Sequence, residues 1–180
     1  MHTEIEERIL EIDKDKMIKK LEKLGAKKVG EWIQRRYTYD FVPKRYGEWI
    51  RLRTNGEETT ITYKKVESSK IDGTKELEIV VSSFEDANEM LKLLGYNPKN
   101  YQENKRIRYY LNDVEIDIDT WPRIPKYMEL EASSIDKIKE LEDLLEVDKS
   151  KITTLYCDDI AKEIYGIDIN SFKELKFKEE

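Results

Sequence analysis

Charged residues alternate with apolar residues in many short segments, the first of which is Glu4-Ile5-Glu6-Glu7-Arg8. Carboxylates bind hard divalent cations such as Mg²⁺ or Mn²⁺, and arginine and lysine bind phosphate oxygens. Acidic and basic side chains gathered on one surface therefore favour binding of a polyphosphate together with a divalent metal ion.

Each alternating segment is typical of a β-strand with one apolar and one ionic face, because successive side chains point to opposite sides of a sheet. The ionic faces are sorted by sign, so that some strands carry bases and others carry paired carboxylates. The basic candidates are Arg8, Arg51, Arg53, Lys64, Arg106 and Arg108, with Arg36 as a seventh. The acidic candidates are Glu4, Glu6, Glu76, Glu78, Glu115, Asp117, Asp119, Glu129 and Glu131.

Two arrangements of these strands are compatible with the pattern. An ordinary antiparallel sheet would expose its ionic face to solvent, where the charges would serve only solubility. A closed barrel would turn the ionic face inward and cover its apolar outside with helices. The sorting by sign favours the barrel, since a solvated face usually mixes its charges. Such an interior would have to be wet and would have to balance acid against base.

Amphipathic helices are predicted between the strands from apolar residues at helical spacing. They are predicted to begin after Asp13, after Ser83, after Ser133 or Ser134, and near residue 150. The tail from about residue 172 is rich in lysine and glutamate and is predicted to fray. We therefore expect one α+β domain over residues 1–180: a closed antiparallel β-barrel with amphipathic helices packed on the outside.

Histidine and cysteine are too rare to support several common chemistries. His2 is the only histidine, which excludes a Ser-His-Asp triad, a Cys-His pair and a histidine-ligated zinc site. Cys157 is alone, so an intramolecular disulfide is excluded, and we expect a buried helical residue there. Any catalysis must use carboxylates, lysine and arginine.

The overall charge argues against nucleic acid as a partner. Charged residues make up 40% of the chain, yet the formal net charge is only -6, whereas a nucleic-acid binder usually presents a net basic face. No apolar run approaches the roughly 20 residues of a membrane span, and the N-terminus does not resemble a secretory signal. We expect a cytoplasmic protein with no membrane partner.

The ordered series of charged strands resembles the CYTH, or triphosphate tunnel metalloenzyme, family, which includes class IV adenylyl cyclases, thiamine triphosphatases and inorganic triphosphatases. The family's N-terminal Glu-x-Glu-x-Lys strand corresponds to Glu4-Ile5-Glu6-Glu7-Arg8, where Arg8 replaces the lysine. Further counterparts are Arg51-x-Arg53, Lys64 and Glu129-x-Glu131. The family's Lys-x-Arg strand aligns with Asn104-x-Arg106 or with Arg106-x-Arg108, and only the second alignment keeps both charges.

The resemblance implies that the closed antiparallel β-barrel has eight strands and forms a tunnel, in which basic residues bind the triphosphate and acidic residues hold Mg²⁺ or Mn²⁺. The metal candidates are Glu4, Glu6, Asp119, Glu129 and Glu131, together with Asp117 on the same face. The substrate-binding candidates are Arg8, Arg36, Arg51, Arg53, Lys64, Arg106 and Arg108. The catalytic candidates are Glu4, Glu78 and Arg8, with Glu4 or Glu78 orienting the attacking water. A homodimer is compatible with the resemblance.

Three functions remain open from the sequence. The first is metal-dependent hydrolysis of a triphosphate-containing small molecule, such as tripolyphosphate, a nucleoside triphosphate or thiamine triphosphate. The second is a class IV adenylyl cyclase, which would activate the ribose 3′-hydroxyl of ATP in place of water. The third is a polyphosphate-binding module without enzymatic activity. Hydrolysis is favoured because the charged residues indicate triphosphate and metal, whereas no residue pattern indicates an adenine pocket.

Aromatic residues near the charged strands have simpler interpretations. Trp32 and Trp49 are predicted to be packing residues, although a tryptophan at a tunnel entrance could stack on a ring of the substrate. The segment Trp121-Pro122-Arg123-Ile124-Pro125 is predicted to be a rigid turn, with capping of a tunnel mouth as the alternative. Tyr37 and Tyr39 are predicted to pack outside the barrel under a helix.

Overall fold

The computed structural model describes residues 1–178. The strands are β1 (His2–Glu4), β2 (Glu6–Ile9), β3 (Lys27–Asp40), β4 (Glu48–Thr54), β5 (Thr59–Val66), β6 (Thr74–Val81), β7 (Pro98–Leu111), β8 (Val114–Thr120), β9 (Tyr127–Ala132), β10 (Ile152–Thr153) and β11 (Glu174–Leu175). The helices are α1 (Lys14–Lys23), α2 (Phe84–Leu93), α3 (Ile135–Leu144) and α4 (Cys157–Asp159), which continues into a π-helical turn (Ile160–Ile164).

In the described part of the chain the 11 strands form one sheet, in the order β1-β6-β5-β4-β3-β7-β8-β9-β2-β10, with β11 beside β7. The N-terminal strand is divided at Ile5, and its two halves pair with opposite ends of the sheet. Glu4 of β1 lies opposite Thr74 of β6, whereas Arg8 of β2 lies opposite Glu129 of β9. This divided strand therefore links the two ends of the sheet and curls it around an interior.

The predicted α+β fold, an antiparallel sheet curled into a barrel-like shape with helices outside, is confirmed, with differences in strand number and closure. The sheet has 11 strands instead of eight because the first strand is divided and the short strands β10 and β11 are added. Closure runs through the two halves of the N-terminal strand, not through one continuous strand. β11 pairs with β7 in parallel, so Glu174–Leu175, in the tail predicted to fray, lie against the sheet.

The first three helices begin where the sequence predicts. The Asp13 carboxylate accepts a hydrogen bond from the Lys16 backbone amide at 3.1 Å, and the Ser83 hydroxyl accepts one from the Asp86 amide at 3.1 Å. Both bonds satisfy amides that have no partner within the helix. Ser134 precedes α3, which settles the choice between Ser133 and Ser134.

The fourth helix was predicted to start near residue 150, and this prediction is wrong for its first half. Ile152–Thr153 form β10, which pairs with β2 so that Ile152 lies opposite Ile9. β-Branched side chains favour extended backbone, and the exposed edge of β2 offers hydrogen-bond partners. A single 3-10 turn (Lys149–Lys151) precedes β10, and α-helical structure begins only at Cys157.

The ionic faces of the strands point into the curl, and the apolar faces point outward. Side chains buried on the interior side, each less than 10% exposed, are Glu4, Glu6, Arg8, Gln34, Arg36, Thr38, Thr60, Thr62, Lys64, Glu76, Gln102, Asn104, Arg106, Asp117 and Asp119. The outer faces of β7, β8 and β9 pack under α1 and α3, and those of β3 and β4 pack under α2. The burial of the charged face contradicts the alternative of an ordinary sheet with a solvated charged side.

Helices cover the outside of the sheet only in part. On β6, Leu77 and Ile79 are 50% and 54% exposed, and Met90 of α2 and the following Leu94 are exposed as well. Tyr37 and Tyr39 do pack with Phe84 and Leu91 of α2, as predicted. Within residues 1–178 we find no helix with the length and apolar character needed to span a membrane.

Two leucines on the outer face of the sheet give a matched test of this arrangement. Leu130 is fully buried under the helices, whereas Leu77 is 50% exposed. Leu130→Ala is expected to lower the free energy of unfolding by about 2–5 kcal/mol, because it leaves a cavity in the core. Leu77→Ala should change it by less than about 1 kcal/mol. Urea unfolding of both variants measures the difference, and equal losses would contradict the assigned faces.

Candidate functional site

A cavity of about 660 Å³ opens at the end of the curled sheet where β3 passes into β4. Arg36, Arg51 and Lys64 reach it from three neighbouring strands, and Trp49 and Tyr156 lie at its edge. The Trp49 and Tyr156 rings are 5.3 Å apart and nearly perpendicular. Three of the predicted phosphate-binding residues therefore face a space large enough for a small-molecule ligand.

The wall formed by β7 and β8 holds arginines that are already paired with carboxylates. The antiparallel register places Arg106 opposite Asp119 and Arg108 opposite Asp117. Arg106 donates to Asp119 at 2.8 and 2.6 Å and to Asp117 at 2.5 Å. Arg108 donates to Asp117 at 2.8 and 2.7 Å and contacts Glu115 at 2.6 Å. Although burial opposes the charge of Arg106, these carboxylates raise its pKa above the ordinary value.

The wall formed by β1, β2 and β9 is rich in carboxylates. Arg8 contacts Glu6 at 3.0 Å and Glu129 at 2.7 Å. Although burial opposes ionisation, Arg8 and Arg106 hold the pKa of Glu129 below its ordinary range. Arg8 therefore links two neighbouring strands of this wall and neutralises part of its charge.

Two carboxylates of the acidic wall keep an unbalanced negative charge when ionised. Burial raises the pKa of Glu131 to about 7, and its neighbours Glu6, Glu129 and Glu115 act in the same direction. Burial also raises the pKa of Glu4 to about 8, although Lys64 opposes this shift with two contacts of 2.8 Å. The register explains the crowding, since Glu131 lies opposite both Glu6 and Glu115.

The wall formed by β3 and β4 has the opposite imbalance. Arg36 and Arg53 lie directly opposite each other on these strands. Arg51 approaches Glu78 at 3.4 Å and Glu76 at 3.7 Å, and Arg53 approaches Glu78 at 3.7 Å. Burial, reinforced by the neighbouring arginines, lowers the pKa of Arg53 to about 9 and that of Arg36 to about 10. Arg36 and Arg53 therefore lie in a buried environment where neighbouring arginines oppose their charge.

The acidic wall has the donor chemistry of a site for a hard cation. Oε1 of Glu6 is buried and has no hydrogen-bond partner, and carboxylate oxygens are the ligands that Mg²⁺ and Mn²⁺ prefer. Within residues 1–178, no three carboxylates converge on one point as a metal site would require. The residues therefore fit a divalent cation in charge and donor type, and their side chains would have to reorient to bring three oxygens together.

Every predicted site residue lies on the interior face, but the predicted residues divide into three settings. Arg36, Arg51, Arg53 and Lys64 form the basic side, and Glu4, Glu6, Arg8, Glu129 and Glu131 form the acidic side. Arg106, Arg108, Asp117 and Asp119 form a wall of mutually satisfied ion pairs. Glu78 accepts a hydrogen bond from Thr62 at 2.5 Å and faces Arg51 and Arg53.

Neutral residues of the site were missed by the emphasis on charge. Gln34 and Asn104 are buried beside Arg36, and Thr62 holds Glu78. Each of these residues lies two positions from a charged candidate on the same strand. This spacing was the signal in the sequence that could have identified them. Tyr156 was missed because it follows β10 in a segment predicted to be helical.

The tryptophans and the cysteine are placed differently from the simplest predictions. Trp49 lies at the cavity, whereas Trp32 folds over Gly30, where an added Cβ would come within 2.2 Å of the indole ring. Trp121 also lines the cavity, which favours the mouth-capping alternative for its turn. Cys157 lines the cavity too, and burial raises the pKa of its thiol.

The sequence matches the family model described as the CYTH domain over residues 2–156. The chain belongs to the CYTH family. The match covers all strands of the curled sheet except β11, so the resemblance seen in the charged strands is confirmed.

Relatives of this CYTH protein include a candidate adenylate cyclase of Methanocaldococcus jannaschii. The two are 28% identical over 171 residues, which cover 90% of this chain and 95% of the relative. The solved structure of the Pyrococcus horikoshii protein PH1012 superposes with a TM-score of 0.76 at 22% identity, covering 85% of this chain and 96% of that one.

A third similar protein is a candidate adenylyl cyclase of Hippeastrum, described as having a dominant triphosphatase activity. Its structure has a TM-score of 0.62 at 12% identity and covers 92% of this CYTH chain and 96% of its own. At these identities the two solved structures establish a shared fold.

The raised pKa values of Glu4 and Glu131 predict how stability depends on pH in EDTA. The folded protein holds these protons more tightly than the unfolded chain, whose carboxyl pKa is the ordinary 4.5, so stability should fall as pH rises from about 4.5 to about 8. A loss of about 1 kcal/mol would lower Tm by about 2–4 °C. Differential scanning calorimetry should show this decrease, and Mg²⁺ added at the higher pH should reverse it.

Glu131→Gln provides the control for this pH dependence, because the amide cannot ionise. The variant should lose the part of the decrease that levels off near pH 7, while Glu140→Gln on the exposed side of α3 should behave as the wild type. A Tm that rises with pH in wild-type protein would contradict the assigned imbalance.

Proposed function

We propose that this protein binds a triphosphate-containing small molecule together with Mg²⁺ or Mn²⁺ inside the curled sheet and hydrolyses a phosphoanhydride bond. The observation that carries the proposal is the pair of opposed, unbalanced walls. The basic wall has more buried positive charge than its carboxylates neutralise, and the acidic wall has more carboxylates than its cations neutralise. A polyanion with a bound divalent cation would compensate both.

The basic wall supplies the phosphate contacts in this proposal. Arg51 and Arg53 form one row on β4, Lys64 lies on β5, and Arg36 faces the cavity from β3. Guanidinium groups bind two phosphate oxygens at once, whereas Lys64 acts as a point charge. These cations would also stabilise negative charge that develops on the transferring phosphoryl group.

The acidic wall supplies the metal ligands. Glu4, Glu6 and Glu131 are favoured because they have unbalanced charge or an unpartnered oxygen, and Glu129 lies beside them. When bound, the divalent cation would neutralise phosphate charge and lower the pKa of water. Asp117 and Asp119 are engaged by Arg106 and Arg108, so we assign them to positioning these arginines instead of to the metal.

Among the catalytic candidates, Glu78 has the best position to orient an attacking water. It lies 3.4 Å from Arg51 and 3.7 Å from Arg53, and the hydrogen bond from Thr62 limits its rotation. Although burial opposes ionisation, Thr62 and these arginines lower the pKa of Glu78, which suits orientation better than proton removal. Glu4 is assigned to the metal, and Arg8 to holding Glu6 and Glu129 in place.

Adenylyl cyclase activity is the second candidate, because relatives carry that name. The same walls would bind the triphosphate of ATP, and the ribose 3′-hydroxyl would replace water as the nucleophile. The triphosphatase activity described for the Hippeastrum protein supports hydrolysis.

The deciding experiment incubates the pure protein with tripolyphosphate, ATP or thiamine triphosphate in Mg²⁺ or Mn²⁺. Orthophosphate release without cyclic AMP is expected. Pyrophosphate together with cyclic AMP would replace this proposal with the cyclase. Binding without turnover would indicate a non-enzymatic polyphosphate-binding module.

Glu131→Gln tests the metal assignment with little risk to the fold. Glu131 has no ion pair among the described residues, and burial already disfavours its charge, so the neutral variant should be at least as stable as wild type. We expect the Mg²⁺ concentration for half-maximal turnover to rise about tenfold or more. Glu140→Gln, exposed on α3, should leave it unchanged. Wild-type Mg²⁺ dependence in Glu131→Gln would contradict the assignment.

A further inference from the structure

Arg36 is buried in the interior without a carboxylate partner among residues 1–178. Its side chain is 8% exposed. Nη2 donates one hydrogen bond to Oε1 of Gln34 at 3.1 Å and another to Oδ1 of Asn104. The guanidinium also lies over the Trp121 ring, 4.5 Å from its centroid. All three partners are neutral.

Arg106 differs from Arg36 because its partners are carboxylates. Arg106 is 6% exposed and contacts Asp117, Asp119 and Glu129. Buried cations are normally paired with carboxylates, because an unpaired buried charge costs free energy. Because the direct partners of Arg36 are neutral, its charge has no paired carboxylate at the cavity in the described part of the chain, while Arg51 and Arg106 repel it and Asp119 attracts it without an ion pair.

Two unpartnered polar atoms point to a ligand beside Arg36. Nε of Arg36 and Oγ1 of Thr38 are both buried without hydrogen-bond partners, and both residues line the cavity. A donor and a hydroxyl left free on the same face of β3 are what an anionic ligand would use. Such atoms are rare in folded proteins unless water or a ligand satisfies them.

The strand register explains how the neutral partners are placed. Gln34, Arg36 and Thr38 alternate on the interior face of β3, and Asn104 of β7 lies opposite Gln34. Nδ2 of Asn104 donates to Oδ1 of Asp119 at 3.0 Å, which turns Oδ1 of Asn104 toward Arg36. The Trp121 indole is held in turn by donating to the Tyr127 hydroxyl at 2.8 Å.

We infer that Gln34, Asn104 and Trp121 are positioning residues that form a neutral clamp, which orients Arg36 at the cavity and preserves its charge for a polyphosphate ligand. The choice of ligand rests on the proposed function, but the clamp concerns anion binding and does not require hydrolysis. A carboxylate at either amide position would hold Arg36 equally well and would cancel the charge that the ligand needs.

Gln34→Glu tests the clamp, because it exchanges the amide for a carboxylate of the same shape. Inorganic tripolyphosphate is titrated by calorimetry in EDTA, where metal-dependent hydrolysis cannot occur. We expect affinity at least about tenfold weaker than wild type, or about 1.4 kcal/mol, approaching the loss expected for Arg36→Met. Tm should stay constant or rise, because the buried Arg36 gains a charged partner.

Gln34→Met separates charge from structure, because it removes the hydrogen bond without adding a charge. It should lower Tm while weakening tripolyphosphate binding only about twofold to threefold. A merely structural role for Gln34 would make affinity follow Tm in both variants. Asn112→Asp adds a carboxylate at an exposed turn and should bind as wild type does.

Equal affinity of wild type and a folded Gln34→Glu variant would overturn the clamp and leave the proposed function standing. If Gln34→Glu does not fold, unchanged binding by Arg36→Met would overturn it equally. Wild-type protein that does not bind tripolyphosphate in EDTA would overturn the clamp, whereas the proposed function would be contradicted only by the absence of turnover in Mg²⁺ or Mn²⁺.

Discussion

Burying charge in a protein costs free energy unless opposite charge compensates it, and this constraint governs the interior of the curled sheet. Opposite charges compensate each other in one wall of the interior and are out of balance in the other two. On β7 and β8, Arg106 and Arg108 are paired with the carboxylates directly opposite them. On the other walls, bases crowd bases and carboxylates crowd carboxylates. The paired wall provides a rigid frame, and the unbalanced walls provide the capacity to bind.

The antiparallel register produces this division, because a residue's charge partner is decided by what lies across the strand. Arg36 lies opposite Arg53, and Glu6 lies opposite Glu131. The divided N-terminal strand then brings the acidic wall round to β6, where Lys64 of neighbouring β5 joins Glu4 to Glu76. Arg8 occupies the lysine position of the family's first strand, and it forms a bridge between carboxylates of the acidic wall. The neutral partners of Arg36 leave this buried cation without a carboxylate partner among residues 1–178, so that it can bind an anion.

Much of the fold could be predicted from alternation and helix caps, because the longer strands carry a two-faced pattern and α1 and α2 begin after side chains that cap them. Asp13 and Ser83 cap where expected, and the ionic faces are interior. The segment after residue 150 could not be predicted, since Ile152 becomes extended only through the edge of β2. The sequence placed the candidate site residues on one face of the strands. It could not distinguish Asp119, which is paired with an arginine, from Glu131, which has no ion pair among the described residues. That distinction depends on register between strands that are distant in the chain.

A crystal structure with Mn²⁺ and a non-hydrolysable triphosphate analogue tests most directly whether the two unbalanced walls bind the two parts of one ligand. The account predicts an anomalous manganese peak beside Glu4, Glu6 and Glu131. It also predicts phosphate density against Arg36, Arg51 and Arg53, with the ion pairs of Arg106 and Arg108 intact. Manganese bound to Asp117 and Asp119 after loss of those pairs, or both ligands outside the curled sheet, would contradict it.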